Sequence, residues 1–371
     1  MSKNIAVIEG DGIGPEVTRQ AVRVLNAIAE SFGHQFQYTY CLMGADAIDK
    51  TGTPLPDETL AICQQSDAIL FGAIGHPRFD SDPAARVRPE QGLLKLRKSL
   101  KLFANIRPVS AYPSLHHLSP LKAKQIEGVD FLLFRELTGG IYFGQKQLSE
   151  DGLQASDDCL YHRSEIERIA ELAFSYARRR RRHLTLVDKA NVLETSRLWR
   201  RVVQEMAAAQ PDVTVDYMFV DNAAMQIIIN PRQFDVILTE NMFGDILSDE
   251  ASVISGSIGL LPSASIGDNV ALFEPIHGAY PQAAGKDIAN PVGAILSAAM
   301  LLDHLGLNEE GHLVREAVNW TLQNGFVTKD IDPVNFYFTS TIGELIADYV
   351  GGKVPGSVKQ ENIEIRTSTI I

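Results

Sequence analysis

The chain has 371 residues, 45% of them hydrophobic, and a net charge of −12. That length allows two domains, and the acidic balance argues against a nucleic-acid partner, whose phosphates draw on an excess of lysine and arginine. No apolar run reaches the ~18–20 residues of a membrane span.

The opening MSKNIAVIEG enters a predicted strand at Asn4, which leaves no room for a signal peptide. Cys41, Cys63 and Cys159 are odd in number and far apart. They suit a reducing cytoplasm and give neither a disulfide nor a metal framework. Residues 4–8 read as an apolar strand, and GDGIGPE turns the chain into a helix with Pro15 in its first turn. Val17, Ala21, Val24, Leu25 and Ile28 form that helix's buried stripe, which Gly33 ends. Phe36, Tyr38 and Tyr40 alternate as in a half-buried strand. A helix after Pro56 and a strand at 68–71 continue a β-α-β succession, which predicts a largely parallel sheet covered by helices. The glycines Gly10, Gly12 and Gly14 are spaced G-x-G-x-G rather than G-x-G-x-x-G, so no standard Rossmann motif is present.

Residues 75–90 form a Pro- and Arg-rich loop of a length usually tied to function. Beyond it come a helix carrying Leu93, Leu94 and Arg97, a strand ending in Ile106-Arg107-Pro108, and a strand at 129–134 ended by Arg135. Ser164 and Glu167 read as a capping box for a helix with Ile166, Ile169, Ala170, Ala173, Phe174 and Ala177 on its core face. The five arginines Arg178–Arg182 read as its solvated end, where cations favour the dipole. Strands at 183–187, 213–220 and 235–239 follow, the first ending at Asp188-Lys189 and the second at Asp221. ENMFGDILSDEAS then reads as a helix with Phe243, Ile246, Leu247 and Ile254 on a core stripe and Asp245 and Asp249 together on another face. A Gly/Ser/Pro-rich stretch, the segment EPIHGAYPQAAGKDIANP, further helices and a weakly patterned tail complete the chain.

Taken singly, a D-x-x-x-D pair or an arginine after a strand is ordinary surface. Arg107, Arg135, Lys189 and Asp221 each fall at a predicted strand's carboxyl end, with Asp245 just past another. That edge is where open α/β sheets bind ligands. Guanidinium forks suit bidentate recognition of carboxylates, and closely spaced carboxylates suit a hard divalent cation such as Mg²⁺ or Mn²⁺. A lysine beside such positive charge is poised toward general-base work.

The segments GDGIGPEV, LFANIRP, RELTGGIYFG, VDKANVLE, NMFGDILSDEAS, GLLPSASIG, EPIHG and GKDIANP span nearly the whole chain. In them the chain resembles the isocitrate/isopropylmalate family of metal-dependent, decarboxylating β-hydroxyacid dehydrogenases. The resemblance implies that family's α/β fold, in two α/β domains. The first, cofactor-binding domain is discontinuous, roughly 1–102 with 256–371. The second, at roughly 103–255, carries dimerisation, metal and substrate. It implies a homodimer, joined partly through an arm near residues 139–160, in which Lys189 and Asp221 reach the partner's site.

The residue roles follow from the same resemblance. Arg97, Arg107 and Arg135 match the clamp on the malate carboxylates, and Asp221, Asp245 and Asp249 match the metal ligands. Lys189 matches the general base and Tyr142 the proton donor. Glu90, Leu93, Leu94 and Val192 match the positions around the malate substituent. Leucines there suit an isopropyl group, which favours 3-isopropylmalate and leucine biosynthesis over D-malate, homoisocitrate or another alkyl-malate. For NAD the matching positions are Ile13, Gly75 and Glu90 of the 75–90 loop, Glu274, His277, Gly278 and Asn290. Gln282 replaces the family's usual ribose-binding aspartate. Its amide oxygen still accepts a hydrogen bond but does not repel a 2′-phosphate.

Overall fold

The computed structural model describes residues 1–80 and 87–353. Ser81 to Arg86 of the predicted functional loop, and the predicted tail beyond Lys353, lie outside the described residues. The chain divides into two compact units: unit 1 takes in Met1–Leu96, Ser257–Ser263 and the chain from Val270 onward, and unit 2 takes in Arg97–Gly256 and Ala264–Asn269.

Unit 1 begins with β1 (Ser2–Gly10), α1 (Gly14–Phe32), β2 (Gln35–Tyr40), α2 (Ala45–Thr51), α3 (Asp57–Gln65), β3 (Ala68–Ala73) and α4 (Pro77–Asp80). Val17, Ala21, Val24, Leu25 and Ile28 are wholly buried, so the predicted stripe of α1 is its core face, and the helix stops at Gly33. β2 lies at the sheet edge and its alternation is shallow. Phe36 and Tyr38 are half-buried, but Tyr40 is 58% exposed, because an edge strand has a neighbour on one side only. α5 (Pro89–Ser99) spans the boundary between the units.

Unit 2 contains β4 (Ala104–Ser110), α6 (Ala123–Ile126), β5 (Asp130–Glu136), β6 (Lys146–Leu148), β7 (Ala155–Asp157), α7 (Arg163–Arg179), β8 (His183–Asp188), α8 (Glu194–Ala209), β9 (Thr214–Phe219), α9 (Val220–Ile229), β10 (Val236–Thr239), α10 (Asn241–Ser252) and all but the first two residues of β11 (Pro262–Ile266). Strands β5, β10, β8 and β9 are parallel, but β4 runs antiparallel to β5 and to β11. The sheet of this unit is therefore mixed, not uniformly parallel. Phe131, Leu133, Phe234, Ile237, Leu247, Ala251 and Ile254 pack into one core cluster. Ile246 departs from the expected stripe, with 58% of its surface exposed. It adjoins Asp245 on the outer side of α10, while Phe243 and Leu247 take the inner side.

Two local expectations change. The cap of α7 is His162, whose backbone N–H donates to Glu165 at 2.7 Å, so Ser164 already lies inside the helix. The arginine run is not simply solvated. Asp235 is 1% exposed and accepts from Arg180 Nε at 2.8 Å and from the Arg181 backbone at 2.9 Å, tying the chain after α7 to the start of β10.

The chain then returns to unit 1 through β12 (Ala271–Pro275), α11 (Val292–His304), α12 (Asn308–Gln323) and α13 (Thr339–Val350). The strand order there is β2-β1-β3-β12, and each of these pairings given by register is parallel. β11 falls where the sequence reads as irregular Gly/Ser/Pro-rich chain, and β12 between that stretch and the start of the EPIHG segment, where the sequence marks no strand. Their residues are buried, so no alternation marks them. Among the described residues no helix is long and apolar enough to cross a membrane.

Candidate active site

The reversal of β4 explains one side of the site in unit 2. Arg107 lies in the middle of β4, not at a strand end as expected. Because β4 runs antiparallel, its opening residues stand beside the end of β5, with Asn105 paired to Arg135. Arg107 shares that face. Its Nε donates to Asn105 Oδ1 at 2.9 Å and its Nη1 to Ser248 Oγ at 2.6 Å. The same Nη1 reaches Asp249 at 2.9 Å, and Nη2 lies 3.8 Å from Asp245.

Arg135, near the end of β5, is 6% exposed. Its fork is fixed by Asn241, whose Oδ1 accepts from Nε at 3.1 Å and Nη2 at 2.9 Å, and Nη1 pairs with Asp245. α10 can come this close because residue 244 is glycine. A Cβ there would stand 2.6 Å from Arg135 Cγ and 2.7 Å from its Cβ. Tyr142 donates its hydroxyl to Asp245 Oδ2 at 2.9 Å, and its ring lies 5.6 Å from the Arg135 guanidinium carbon. Burial pulls the pKa of Arg135 down to about 10; Asp245 opposes the shift, and Arg107 and Arg97 add to it. The three arginines are thus within electrostatic reach, and Arg135 stays cationic near neutrality. Burial and the bond to Asp245 raise the pKa of Tyr142, so its phenol keeps its proton.

A second cluster stands after β8 and β9. Asp188 and Phe219 are register partners, which sets Lys189 beside the first turn of α9. Lys189 Nζ meets Asp221 Oδ1 at 2.5 Å, and this pairing lowers the pKa of Asp221. Asp188 takes a bidentate pair from Arg200 at 2.8 and 2.9 Å and so fixes the turn that carries Lys189. Among the described residues, Lys189 and Asp221 make no hydrogen bond or ion pair with Tyr142, Asp245 or Asp249. Among the described residues no group of three or more His, Cys, Asp or Glu is placed to hold a metal. The chain itself supplies a two-carboxylate donor set, Asp245 and Asp249, whose hard oxygens fit a hard divalent cation. Asp221 stands apart with Lys189.

Glu90, Leu93, Leu94 and Arg97 follow one another at helical spacing along a single face of α5, while Gly92 and Leu96 are buried on the other. Leu93 is half-buried and Leu94 exposed. Val192, in the turn after Lys189, is 60% exposed.

Unit 1 holds a pocket of about 460 Å³, a volume typical of small-molecule sites. Ile13, His277, Gly278 and Asn290 line it; Gly75, Glu90, Glu274 and Gln282 lie outside its lining. Gly12 has φ +60, and a Cβ on it would strike the Ala279 carbonyl. Ile13 N donates to that carbonyl at 2.8 Å, joining the first loop to the HGAYP segment. Glu16 accepts from the Gly285 and Asp287 amides, so the acid of GPE anchors the GKD loop. His277 is buried and its pKa lowered by burial. Nδ1 lies 3.0 Å from the Gly278 carbonyl, and Nε2 is buried with no partner among the described residues. A neutral imidazole with Nδ1 as donor leaves Nε2 as an acceptor for a ligand hydroxyl or amide, which fits a nucleotide. The sequence reading missed Lys329 and Asp330 in the lining. Asp330 accepts from Ser257, from Asn290 at 3.1 Å and from Thr328 at 2.5 Å, whereas Lys329 makes no ion pair among the described residues. Also missed were Asn241, Ser248 and Arg200, whose roles come from contacts far apart in sequence that no local spacing reveals.

In unit 2 the guanidiniums of Arg107 and Arg135 converge with the carboxylates of Asp245 and Asp249, and unit 1 holds a nucleotide-sized pocket, a combination suited to an enzyme of small polyanionic acids. The chain belongs to the isocitrate/isopropylmalate dehydrogenase family, whose model matches residues 4–346. It is 56% identical over 352 residues to the 3-isopropylmalate dehydrogenase of Bacteroides fragilis, covering 94% of this chain and 99% of that one. With the enzyme of the same name from Bacillus subtilis the identity is 54%, covering 89% and 92% of the two chains. The crystal structure of isocitrate dehydrogenase from Methylococcus capsulatus superposes with a TM-score of 0.83 at 35% identity, covering 94% and 99%. The β-decarboxylating dehydrogenase of Thermococcus kodakarensis gives 0.80 at 40% identity, covering 94% and 96%.

Proposed function

We propose that the chain catalyses the oxidative decarboxylation of (2R,3S)-3-isopropylmalate to 4-methyl-2-oxopentanoate with reduction of NAD, in leucine biosynthesis. The observation that carries this reading is the 56% identity to the Bacteroides fragilis enzyme over almost the full length of both chains. When bound, a divalent cation supplies Lewis acidity toward the substrate's hydroxyl and carboxylate oxygens, and a nicotinamide supplies a hydride acceptor. Asp221, Asp245 and Asp249 would hold the cation. Ile13, Gly75, Glu90, Glu274, His277, Gly278, Gln282 and Asn290 would hold the dinucleotide.

Arg97, Arg107 and Arg135 bind the two malate carboxylates, and Asn241 keeps the Arg135 fork oriented for it. Lys189 Nζ takes the hydroxyl proton as the alcohol is oxidised. The phenol of Tyr142 delivers a proton to the carbon that loses its carboxyl group. Glu90, Leu93, Leu94 and Val192 would set the specificity for the malate substituent, where the three apolar side chains suit an isopropyl group and disfavour a charged one.

The separation of Lys189 and Asp221 from Asp245 and Asp249 supports a composite site, with the first pair serving the partner in a homodimer. Exposed Ile246, Met225, Ile229, Leu148 and Leu153, all in unit 2, supply the apolar surface such a dimer would cover. Unit 1 would then bind the cofactor, and unit 2 would carry dimerisation and the metal.

The test is NADH formation with Mg²⁺ on 3-isopropylmalate, malate, isocitrate and homoisocitrate. The highest kcat/KM is expected on 3-isopropylmalate, and a better rate on any other acid overturns the substrate. The same assay compares NAD with NADP. Gln282 and Lys329 make that comparison necessary, and a preference of about tenfold for NADP would reverse the cofactor.

A further inference from the structure

Three neighbouring strand ends carry acids that the chemistry above does not use. Thr239 of β10 is in register with Arg135 of β5 and with Val187 of β8. One residue further along, Glu240 lies beside Glu136 and Asp188, and strand alternation turns the three from the face that Arg135 takes. Their exposures are 4%, 0% and 2%. Glu136 accepts from Thr138 N at 2.8 Å, Thr138 Oγ1 at 2.5 Å and Gly139 N at 2.7 Å. Asp188 is held by Arg200 and by the Ala190 amide at 2.9 Å. Glu240 has no counterpart to these donors. Its carboxyl makes no hydrogen bond or ion pair among the described residues, and Oε2 is fully buried.

The groups around Glu240 do not offer a cation. From β8 and β5 it faces Asp188 and Glu136, and from the segment before α7 it faces Cys159 and Tyr161. Glu165 of α7 adds negative charge behind Glu136. Arg200 of α8 is engaged by Asp188, and Arg168 of α7 donates to Thr138 Oγ1 at 2.9 Å.

We propose that Glu240 is a positioning residue, a buried carboxyl that must carry its proton for the ends of β5 and β8 to hold Arg135 and Lys189 in place. Ionised, it would set a third negative charge against Glu136 and Asp188, the chain neighbours of those two residues. Burial, with Asp188 and Glu136 beside it, pushes its pKa up to about 7. In the unfolded chain it titrates in the ordinary carboxylate range. Its stabilising contribution is therefore full below that range, falls as pH rises toward 7, and is gone above it. The inference rests on the proposed reaction for the roles of Arg135 and Lys189.

Glu240→Gln keeps the shape and cannot ionise. Its denaturant midpoint and its kcat on 3-isopropylmalate are compared with wild type from about pH 5.5 to about pH 8.5. The midpoint advantage of the variant is expected to grow up to about pH 7 and then level. The ratio of variant to wild-type kcat is expected to rise to about tenfold near pH 8, one unit past the loss of the proton. A kcat ratio that does not change with pH overturns the positioning role. If wild type turns over no substrate at any pH, the proposed function falls instead, and a midpoint difference constant with pH still overturns the claim for Glu240. Should Glu240→Gln not fold, emission from Trp199, stacked edge-on against Tyr161 at 5.4 Å, is titrated in a Trp320→Phe background. A step near pH 7 supports the proposal, and a flat titration overturns it.

Discussion

Arg135 is held at its fork by Asn241 and Asp245 and crowded along its stem by Gly244, so little freedom remains to be lost when a carboxylate binds. Lys189 differs: it rests on an exposed aspartate, and its own bond is easily exchanged. Lys189→Ala should leave the thermal midpoint almost unchanged and lower kcat by about 10²–10⁴-fold, the scale of general-base loss. Asp245→Asn keeps an acceptor for Tyr142 and Arg135 but offers a poor ligand to a hard cation. Its half-saturating Mg²⁺ should rise at least about tenfold, read from the metal dependence of the initial rate. An unchanged Mg²⁺ dependence would remove Asp245 from the metal site. At this scale residue type and place in the chain singled out Arg107, Arg135, Lys189, Asp221 and Asp245, whereas Arg97 and Tyr142 came through the family resemblance alone. The sequence was silent on Asn241 and Arg200, whose importance lies in what they touch, Arg135 at 106 residues' distance along the chain and Asp188 at 12.

At the scale of elements, α10 carries the most argument per residue. It buries Phe243, Leu247 and Ala251, offers Asp245 and Asp249, and brings Gly244 against Arg135. Gly244→Ala should cost about 1–3 kcal/mol by overpacking and raise KM more than it lowers kcat, because the displaced group is a binding guanidinium. Thermal unfolding and steady-state kinetics on the same preparation check both parts. The core face of α1 and that of α7 were legible from 3.6-residue periodicity. β4 deceived, since a single strand's pattern does not reveal its direction, and Arg107 reaches the site only because the strand is reversed. β11 and β12 were hidden for a different reason: residues buried on both faces leave no alternation to read. Ile246 marks the limit of periodicity, which finds apolar faces without saying what covers them.

For the whole molecule, the composite-site reading makes activity depend on association. Charged substitutions at Ile229 and Ile246, both 58% exposed, should give a folded monomer without turnover. Sedimentation measured beside the rate decides it, and full activity in a verified monomer would sink the idea. Composition does not change where the chain passes between the two units, so it leaves no mark of them. Gly343 of α13 lies directly against Gln20 of α1, and Arg23 donates to the Ser340 carbonyl at 2.9 Å. The first helix of the chain is therefore completed by its last described one. Removing residues from Thr339 onward should leave α1 without its cover and the product insoluble, which fractionation after expression would show. During synthesis on the ribosome, Met1–Leu96 emerge long before α12 and α13 exist, while most of unit 2 is contiguous and can pack as it appears. The residues of α1 are thus among the last to find their partners, and until then their apolar stripe stays uncovered.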